Sequence, residues 1–287
     1  MPLLTTEELA LLSPVFKGRS GQWLARTLMR LVRMDELNEL YDRNAAHRGA
    51  DFATSLLDDR QVDYLVGNAW RLDGLPQGPF ITISNHPCGH IDGIMLIEIF
   101  ARIRPHYKVM VNKILGRVKA MEENFITVVP TGRKRTEPQK DSLAGVRATL
   151  AQLRAGEPMG FFPSGAVSDL SIRDRCVRDR EWQEPVMRLI RKARVPIVPL
   201  RFFDGNSRLY YVLGLLLGSG VRLLRLPAEV LNRREKPIRL GIGQTIDLAA
   251  QDACPDLESY SVMLRDSVYG MPLPEEFKSR GELLGRL

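Results

Sequence analysis

Hydrophobic positions recur along the chain in two rhythms, and the change falls near residue 67. Before it the spacing is helical. Thr5 and Glu8 stand at capping-box spacing ahead of Leu9, Leu11 and Leu12. Ser20 is a candidate cap for a second helix, in which Leu24, Leu28 and Leu31 share one face while Arg26, Arg30 and Arg33 share the opposite one. Helical patterns continue over 35–46 and 52–66. From about Gly67, short apolar runs alternate with helical segments. Strands are predicted at 80–84 (FITIS), 108–111, 125–129 (FITVV), 159–162, 195–202 and 238–242; helices at 92–103, 142–153, 182–193 and 257–268. The prolines that bracket 195–199 suggest edge or terminal strand positions. Strands alternating with helices predict an α/β fold, with a largely parallel (mixed) central sheet flanked by helices and an N-terminal helical extension. The division is 1–66, a helical region suited to membrane-surface contact, and 67–287, the main domain.

Composition narrows the class. The chain has 287 residues, 44% of them hydrophobic, enough for a substantial core. Three scattered cysteines, Cys88, Cys176 and Cys254, fit a reducing compartment better than a disulfide framework. The first residues carry no basic and apolar leader pattern. The longest apolar run, 210–221, is interrupted by glycines and falls short of the about 20 residues that span a bilayer. A cytoplasmic protein, peripheral on the inner face of the membrane, is the expectation. The net charge is +7 and unevenly placed: residues 101–135 hold nine Lys or Arg against two Glu, and 187–240 hold twelve against three acidic residues. Such a field favours anionic partners. With only 7% aromatics and no nucleic-acid motif, a nucleic-acid partner is not expected.

Four segments carry candidate chemistry. In Ser84-Asn85-His86-Pro87-Cys88-Gly89-His90-Ile91-Asp92-Gly93, a buried strand runs through a tight turn into a helix, on the rim where parallel sheets host sites. Histidine as a residue type titrates near neutral pH, so His86 could take a proton from an attacking hydroxyl or amine; Asp92 could hold its tautomer. Other readings of the segment are Asp92 as a helix-start charge, a metal site drawn from His86, Cys88, His90 and Asp92, and Cys88 as a nucleophile. The segment 161–168 (FFPSGAVS) ends a strand in a Pro-Ser-Gly turn, where N–H groups near Gly165 could meet an oxyanion; an ordinary turn is the alternative. The run Arg133, Lys134 and Arg135 beside Gly132 could bind phosphate or be a solvated loop. Residues 195–208 read as architecture more than chemistry.

Taken in order, the four segments resemble the four blocks of the PlsC-like lysophospholipid and glycerolipid acyltransferase family, over about residues 67–245. NHPCGHIDG is similar to the block that supplies the family's His and Asp, and the run after FITVVP sits where acceptor-binding cations belong. FFPSGAVS is similar to the Phe-Pro-Glu-Gly block, and VPIVPLRF to the proline-containing fourth. Five residues rather than four separate His86 from Asp92, and Ser164 stands where the family has Glu. Both departures, with FFDGNSRLYYVLG, resemble the hemolysin-like branch, which includes ornithine- and glycine-lipid O-acyltransferases.

The resemblance implies an O-acyltransferase of lipid biosynthesis. It would move a fatty acyl group from an acyl-ACP or acyl-CoA co-substrate to the hydroxyl of a lyso-lipid acceptor, a lyso-aminolipid or lysophospholipid. His86 would be the base and Asp92 its orienting partner, with Arg133, Lys134, Arg135, Ser164 and Gly165 binding substrate. No metal and no cofactor beyond the co-substrate would be needed. Two competing readings are a hydrolase using the same His–Asp pair and a non-catalytic basic lipid-binding module.

Overall fold

A computed structural model describes residues 5–7, 16–129, 140–217, 222–232 and 236–287, with the side chains of 140–142 set aside. Its centre is an eight-stranded mixed sheet. The strands are β1 (Tyr64–Gly67), β2 (Ile81–Ser84), β3 (Lys108–Asn112), β4 (Phe125–Val128), β5 (Met159–Phe161), β8 (Ile197–Phe202), β9 (Ile238–Ile242) and β10 (Phe277–Ser279). A separate hairpin pairs β6 (Asp169–Ser171) with β7 (Cys176–Arg178). The sheet order is β10-β1-β9-β8-β2-β5-β3-β4. Only the β1–β10 and β8–β9 pairings are antiparallel; the others are parallel.

The helices are α1 (Gly18–Leu31), α2 (Met34–Asn44), α3 (Gly49–Asp59), α4 (His90–Ile103), α5 (Lys140–Arg154), α6 (Glu184–Ala193), α7 (Arg208–Leu217), α8 (Leu226–Leu231), α9 (Leu248–Asp252), α10 (Leu257–Tyr269) and α11 (Arg280–Leu284). β2 is buried along its whole length, its hydroxyl-bearing Thr82 and Ser84 as fully as Ile81 and Ile83, because both of its faces are covered. α4 is apolar nearly all round for the same reason, burying Ile91, Met95, Leu96, Ile97, Ile99 and Phe100. Its Glu98 is fully buried and compensated. Arg280 of α11 donates to both carboxylate oxygens, at 2.9 and 2.6 Å, and the Tyr64 hydroxyl donates at 2.7 Å. The C-terminal strand and helix are thereby pinned to the centre of the molecule.

Three expectations change. The helical pattern over 52–66 stops at Asp59, and Tyr64–Gly67 is strand β1 inside the sheet. Residues 64–66 therefore belong to the main sheet, and Leu40, Tyr41, Phe52 and Leu57 of α2 and α3 share one core cluster with α4, β1 and β9. Ser20 lies within α1, whose cap is Lys17 without a side-chain bond. β8 is central rather than at an edge, flanked by β2 and β9. Its Pro199 is tolerated because it faces a bulge: between Ile197↔Ile246 and Leu200↔Ile242, two residues of β8 oppose three. The Pro199 carbonyl accepts from Gly243 N at 2.8 Å on that same side, so the missing N–H falls where regular pairing is already interrupted.

Among the described residues no helix is long and apolar enough to cross a membrane. Two nonetheless show apolar faces to solvent. α1 packs through its small residues Gly21 and Ala25 with Met29, which leaves Trp23 65% and Leu31 79% exposed. α7 exposes Val212, Leu215, Leu216 and Leu217, and Leu223 and Leu224 follow it.

Candidate active site at the carboxyl end of strand β2

The chain leaves β2 through Asn85, whose side chain continues the sheet after the backbone has turned away. Its Nδ2 donates to Phe202 O and its Oδ1 accepts from Phe202 N, both at 2.8 Å. His86 follows. Gly89 then turns the chain with φ +68°, and any Cβ there would press within 3.1 Å of Leu226. α4 begins one residue later, at His90, so Asp92 sits inside the first turn, where a helix favours negative charge.

This turn folds Asp92 back onto His86. Asp92 is fully buried, and its Oδ2 lies 3.0 Å from His86 Nδ1 and accepts the Cys88 N–H at 2.8 Å. An ionised carboxylate can only accept, so Nδ1 carries the proton and the Nε2 lone pair is left for chemistry. Asp92 Oδ1 is buried without a hydrogen-bond partner among the described residues. The anion is therefore sparsely solvated, which strengthens its attraction for a nearby imidazolium. The His86 side chain remains 18% exposed. Its ring is stacked on Phe162, with centroids 3.9 Å apart and planes 29° apart.

The second segment closes on the same place. Ser168 N donates to His86 O at 2.8 Å. Gly165 has φ +63°, and a Cβ there would lie 2.0 Å from Gln183 Nε2, so both conformation and space demand glycine. The Gly165 N–H is bonded to Phe162 O at 2.9 Å, and Ser164 Oγ donates to Ala166 O at 2.7 Å. In this arrangement Gly165 contributes shape to the site rather than a free donor. Ser164 is buried in the turn, next to the His86 loop. Arg133, Lys134 and Arg135 lie outside the described residues.

The candidate metal ligands do not converge. Cys88 Sγ points to Asp204 O at 3.4 Å, Asp92 is committed to His86, and no group of three His, Cys, Asp or Glu side chains among the described residues is arranged to hold an ion. His90 is closely packed beside His86 and Asp92. Burial, and secondarily the neighbouring His86, push it down to about 4, so it stays neutral at neutral pH.

Several supporting residues belong to none of the motifs. Tyr211 donates to Pro87 O at 2.9 Å and so ties α7 to the His86 turn. Arg222 is buried, donating to Val167 O at 2.9 Å and Ser168 O at 3.0 Å and pairing with Asp169. Asp179 is buried under the turn. Its Oδ1 accepts from His86 N at 3.1 Å and Ser168 Oγ at 2.6 Å, and its Oδ2 from Trp182 Nε1 at 3.1 Å. Burial pushes this carboxyl up from its ordinary value, while those bonds pull against the rise. A cavity of about 420 Å³ lies beyond Asp179, lined by Asp169, Asp174, Arg178, Arg180 and Arg265. Its arginines 178 and 180 are already paired with Asp174 and Asp169.

The class that fold and site define is an α/β protein presenting a His–Asp pair at the carboxyl edge of its parallel strands. Residues 69–202 match the family model described as Acyltransferase. Two curated proteins, each named lyso-glycine lipid O-acyltransferase, are similar to it over most of their length. That of Bacteroides thetaiotaomicron is 24% identical over 252 residues, covering 84% of this chain and 87% of the relative. That of Phocaeicola vulgatus is 26% identical over 254 residues, covering 84% and 85%. The crystal structure of the 1-acyl-sn-glycerophosphate (LPA) acyltransferase PlsC from Thermotoga maritima is matched at 12% identity with a TM-score of 0.45, covering 93% of this chain and 97% of that one.

Proposed function

We propose that this protein transfers a fatty acyl group from an acyl-ACP or acyl-CoA thioester to the hydroxyl of a lyso-lipid, with His86 as general base. The observation that carries this reading is the 3.0 Å contact between His86 Nδ1 and the buried Asp92 carboxylate. His86 Nε2 takes the acceptor's hydroxyl proton as its oxygen attacks the thioester carbonyl carbon. Asp92 holds the tautomer and stabilises the imidazolium that forms. Collapse of the tetrahedral intermediate breaks the C–S bond, and the imidazolium returns its proton to the leaving thiolate. The new ester and a free thiol depart.

A lyso-aminolipid acceptor is favoured over a phosphorylated glycerol. The acidic residue that the family's third block carries is replaced by Ser164, whose hydroxyl is spent inside its own turn. The names of the two relatives point the same way. Arg133, Lys134 and Arg135 are assigned to an anionic head group or to the donor's phosphate. The exposed apolar faces of α1 and α7 are assigned to the inner surface of the cytoplasmic membrane, Trp23, Leu24 and Leu31 entering the interface with Arg26 and Arg30 near head groups.

The test is incubation of the protein with labelled acyl-ACP or acyl-CoA and a panel of lyso-lipids on liposomes, beside His86→Ala. Transfer that depends on one acceptor and vanishes in the variant supports the reading. Thioester hydrolysis at one rate with or without acceptor, lost in the variant, replaces it with a hydrolase.

A further inference from the structure

Asp179 lies 93 residues from His86 in sequence, yet holds it from behind. The main-chain N–H of His86 donates to Asp179 Oδ1 at 3.1 Å. The main-chain carbonyl of His86 accepts from Ser168 N at 2.8 Å, and the Ser168 hydroxyl donates to the same Asp179 oxygen at 2.6 Å. Both polar groups of the His86 backbone thus end on one Asp179–Ser168 unit. That unit is itself anchored: Asp179 N donates to the Tyr269 hydroxyl at 2.7 Å, and Asp179 O accepts from Arg265 at 3.0 Å. Both anchors belong to α10, a helix buried through Tyr260, Leu264 and Val268.

All three groups facing the Asp179 side chain, His86 N–H, Ser168 O–H and Trp182 N–H, are donors. A carboxylate answers them all. A carboxamide of the same shape answers only one side, because its NH2 must face a donor on the other. With Nδ1 held by Asp92 and one ring face covered by Phe162, the backbone is the remaining freedom by which the imidazole could drift. Misplacement of a base by about 1 Å can cost about 10²-fold in rate.

We infer that Asp179 is a positioning residue that, through Ser168 and the His86 backbone, sets the orientation of the His86 imidazole for acyl transfer. The inference rests on His86 being the base. It makes the site a two-carboxylate device, with Asp92 on the ring and Asp179 beneath the main chain. A buried bond network at this distance from the substrate should act on turnover and leave substrate binding alone.

The experiment measures kcat and KM for both substrates, melting temperature and the downfield proton resonance of His86 Nδ1–H in full-length Asp179→Asn, Ser168→Ala and Ser168→Thr. A core variant outside this bond network, Ile190→Ala, serves as a stability control. Asp179→Asn is expected to lower kcat about 10- to 100-fold with KM within about twofold, and to shift or broaden the resonance. Ser168→Ala should lose several-fold in kcat, and Ser168→Thr, which keeps the hydroxyl, should recover most of it. Should Asp179→Asn fail to fold, the Ser168 pair carries the test. Wild-type kcat in Asp179→Asn and Ser168→Ala, or a loss that merely tracks melting temperature as in Ile190→Ala, overturns the inference. Full activity of His86→Ala overturns the base reading itself, an outcome distinct from inactive His86→Ala beside fully active Asp179→Asn.

Discussion

The loop after β2 and the outer faces of α1 and α7 break the ordinary rule of burial in opposite directions. At the loop, polar side chains are inside: Asn85, Asp92, Ser164, Ser168 and Asp179 are all buried. On the helices, large apolar side chains are outside, with Trp23, Leu31 and Leu216 among the most exposed. Each departure costs folding free energy, so each marks a place where selection kept something other than stability. At the loop that cost is met by hydrogen bonds, Asn85 to Phe202, Asp92 to Cys88 and His86, and Asp179 to Ser168 and Trp182. Among the described residues nothing covers those helix faces, which points to a surface that covers them from outside.

The sharpest way to break the comparison is at the base. His86→Ala should lower the transfer rate about 10²- to 10⁴-fold while the melting temperature moves little. Asp92→Asn should lose activity on a similar scale: an amide oxygen at the Oδ2 position can still accept from Cys88 N and His86 Nδ1, but the neutral amide no longer stabilises the imidazolium that forms. The two changes act on one unit, so the double variant should be scarcely slower than His86→Ala; an additive loss would separate them.

Next in size is the outer surface. Replacing Leu215, Leu216 and Leu217 with Ser should weaken liposome binding about 10- to 100-fold, since each fully buried leucine is worth about 1.5–3 kcal/mol and interfacial burial is partial. Melting temperature in solution and turnover of a monomeric short-chain acceptor should be kept. Replacing Leu24, Leu28 and Leu31 with Ser should do the same at α1, where Gly21, Ala25 and Met29 make the packing face. Cooperative unfolding of either variant at a much lower temperature would mean that the face is internal after all.

The smallest effect sharpens the buried side. His90 is held below its unfolded value, down to about 4, so between pH about 6.5 and 4 the unfolded chain binds a proton that the folded chain refuses. Stability is full above pH about 6.5 and falls as the pH drops through that window. The loss is at most about 3 kcal/mol and smaller for a ring that is partly exposed. Urea midpoints at pH 7 and 4.5 should differ more in the wild type than in His90→Gln.

The legible parts of the site were the local ones. His86 and Asp92 are six residues apart, and a turn bounded by Pro87 and Gly89 leaves few ways to arrange them. Gly165 announced itself through a Pro-Ser-Gly turn at a strand end. Asp179 and Trp182 lie in a stretch dense with charged residues, where a buried carboxylate has no signature. Arg222 and Tyr211 fall in or beside an apolar run and read as its border. Strand β1 was hidden because Tyr64–Gly67 is too short for its period to separate strand from helix, and β6 and β7 because they are polar and half-exposed. Pro199 misled for a definite reason: proline excludes regular central pairing, and only the β9 side shows the bulge that relieves it.

What the sequence by itself determined is whatever periodicity and short-range spacing encode: the alternation of β2, β3, β4, β5, β8 and β9 with helices, the turn that carries His86, and its pairing with Asp92. What only the tertiary structure decided is which distant groups meet, namely Asp179 and Ser168 behind His86, Arg280 on Glu98, and the small-residue face of α1 turned inward so that its tryptophan and leucines turn out. The reason is physical. Local patterns fix a residue's conformation and face, whereas burial of a charge or exposure of an apolar side chain depends on partners brought together by the whole chain's packing, and one segment does not contain them.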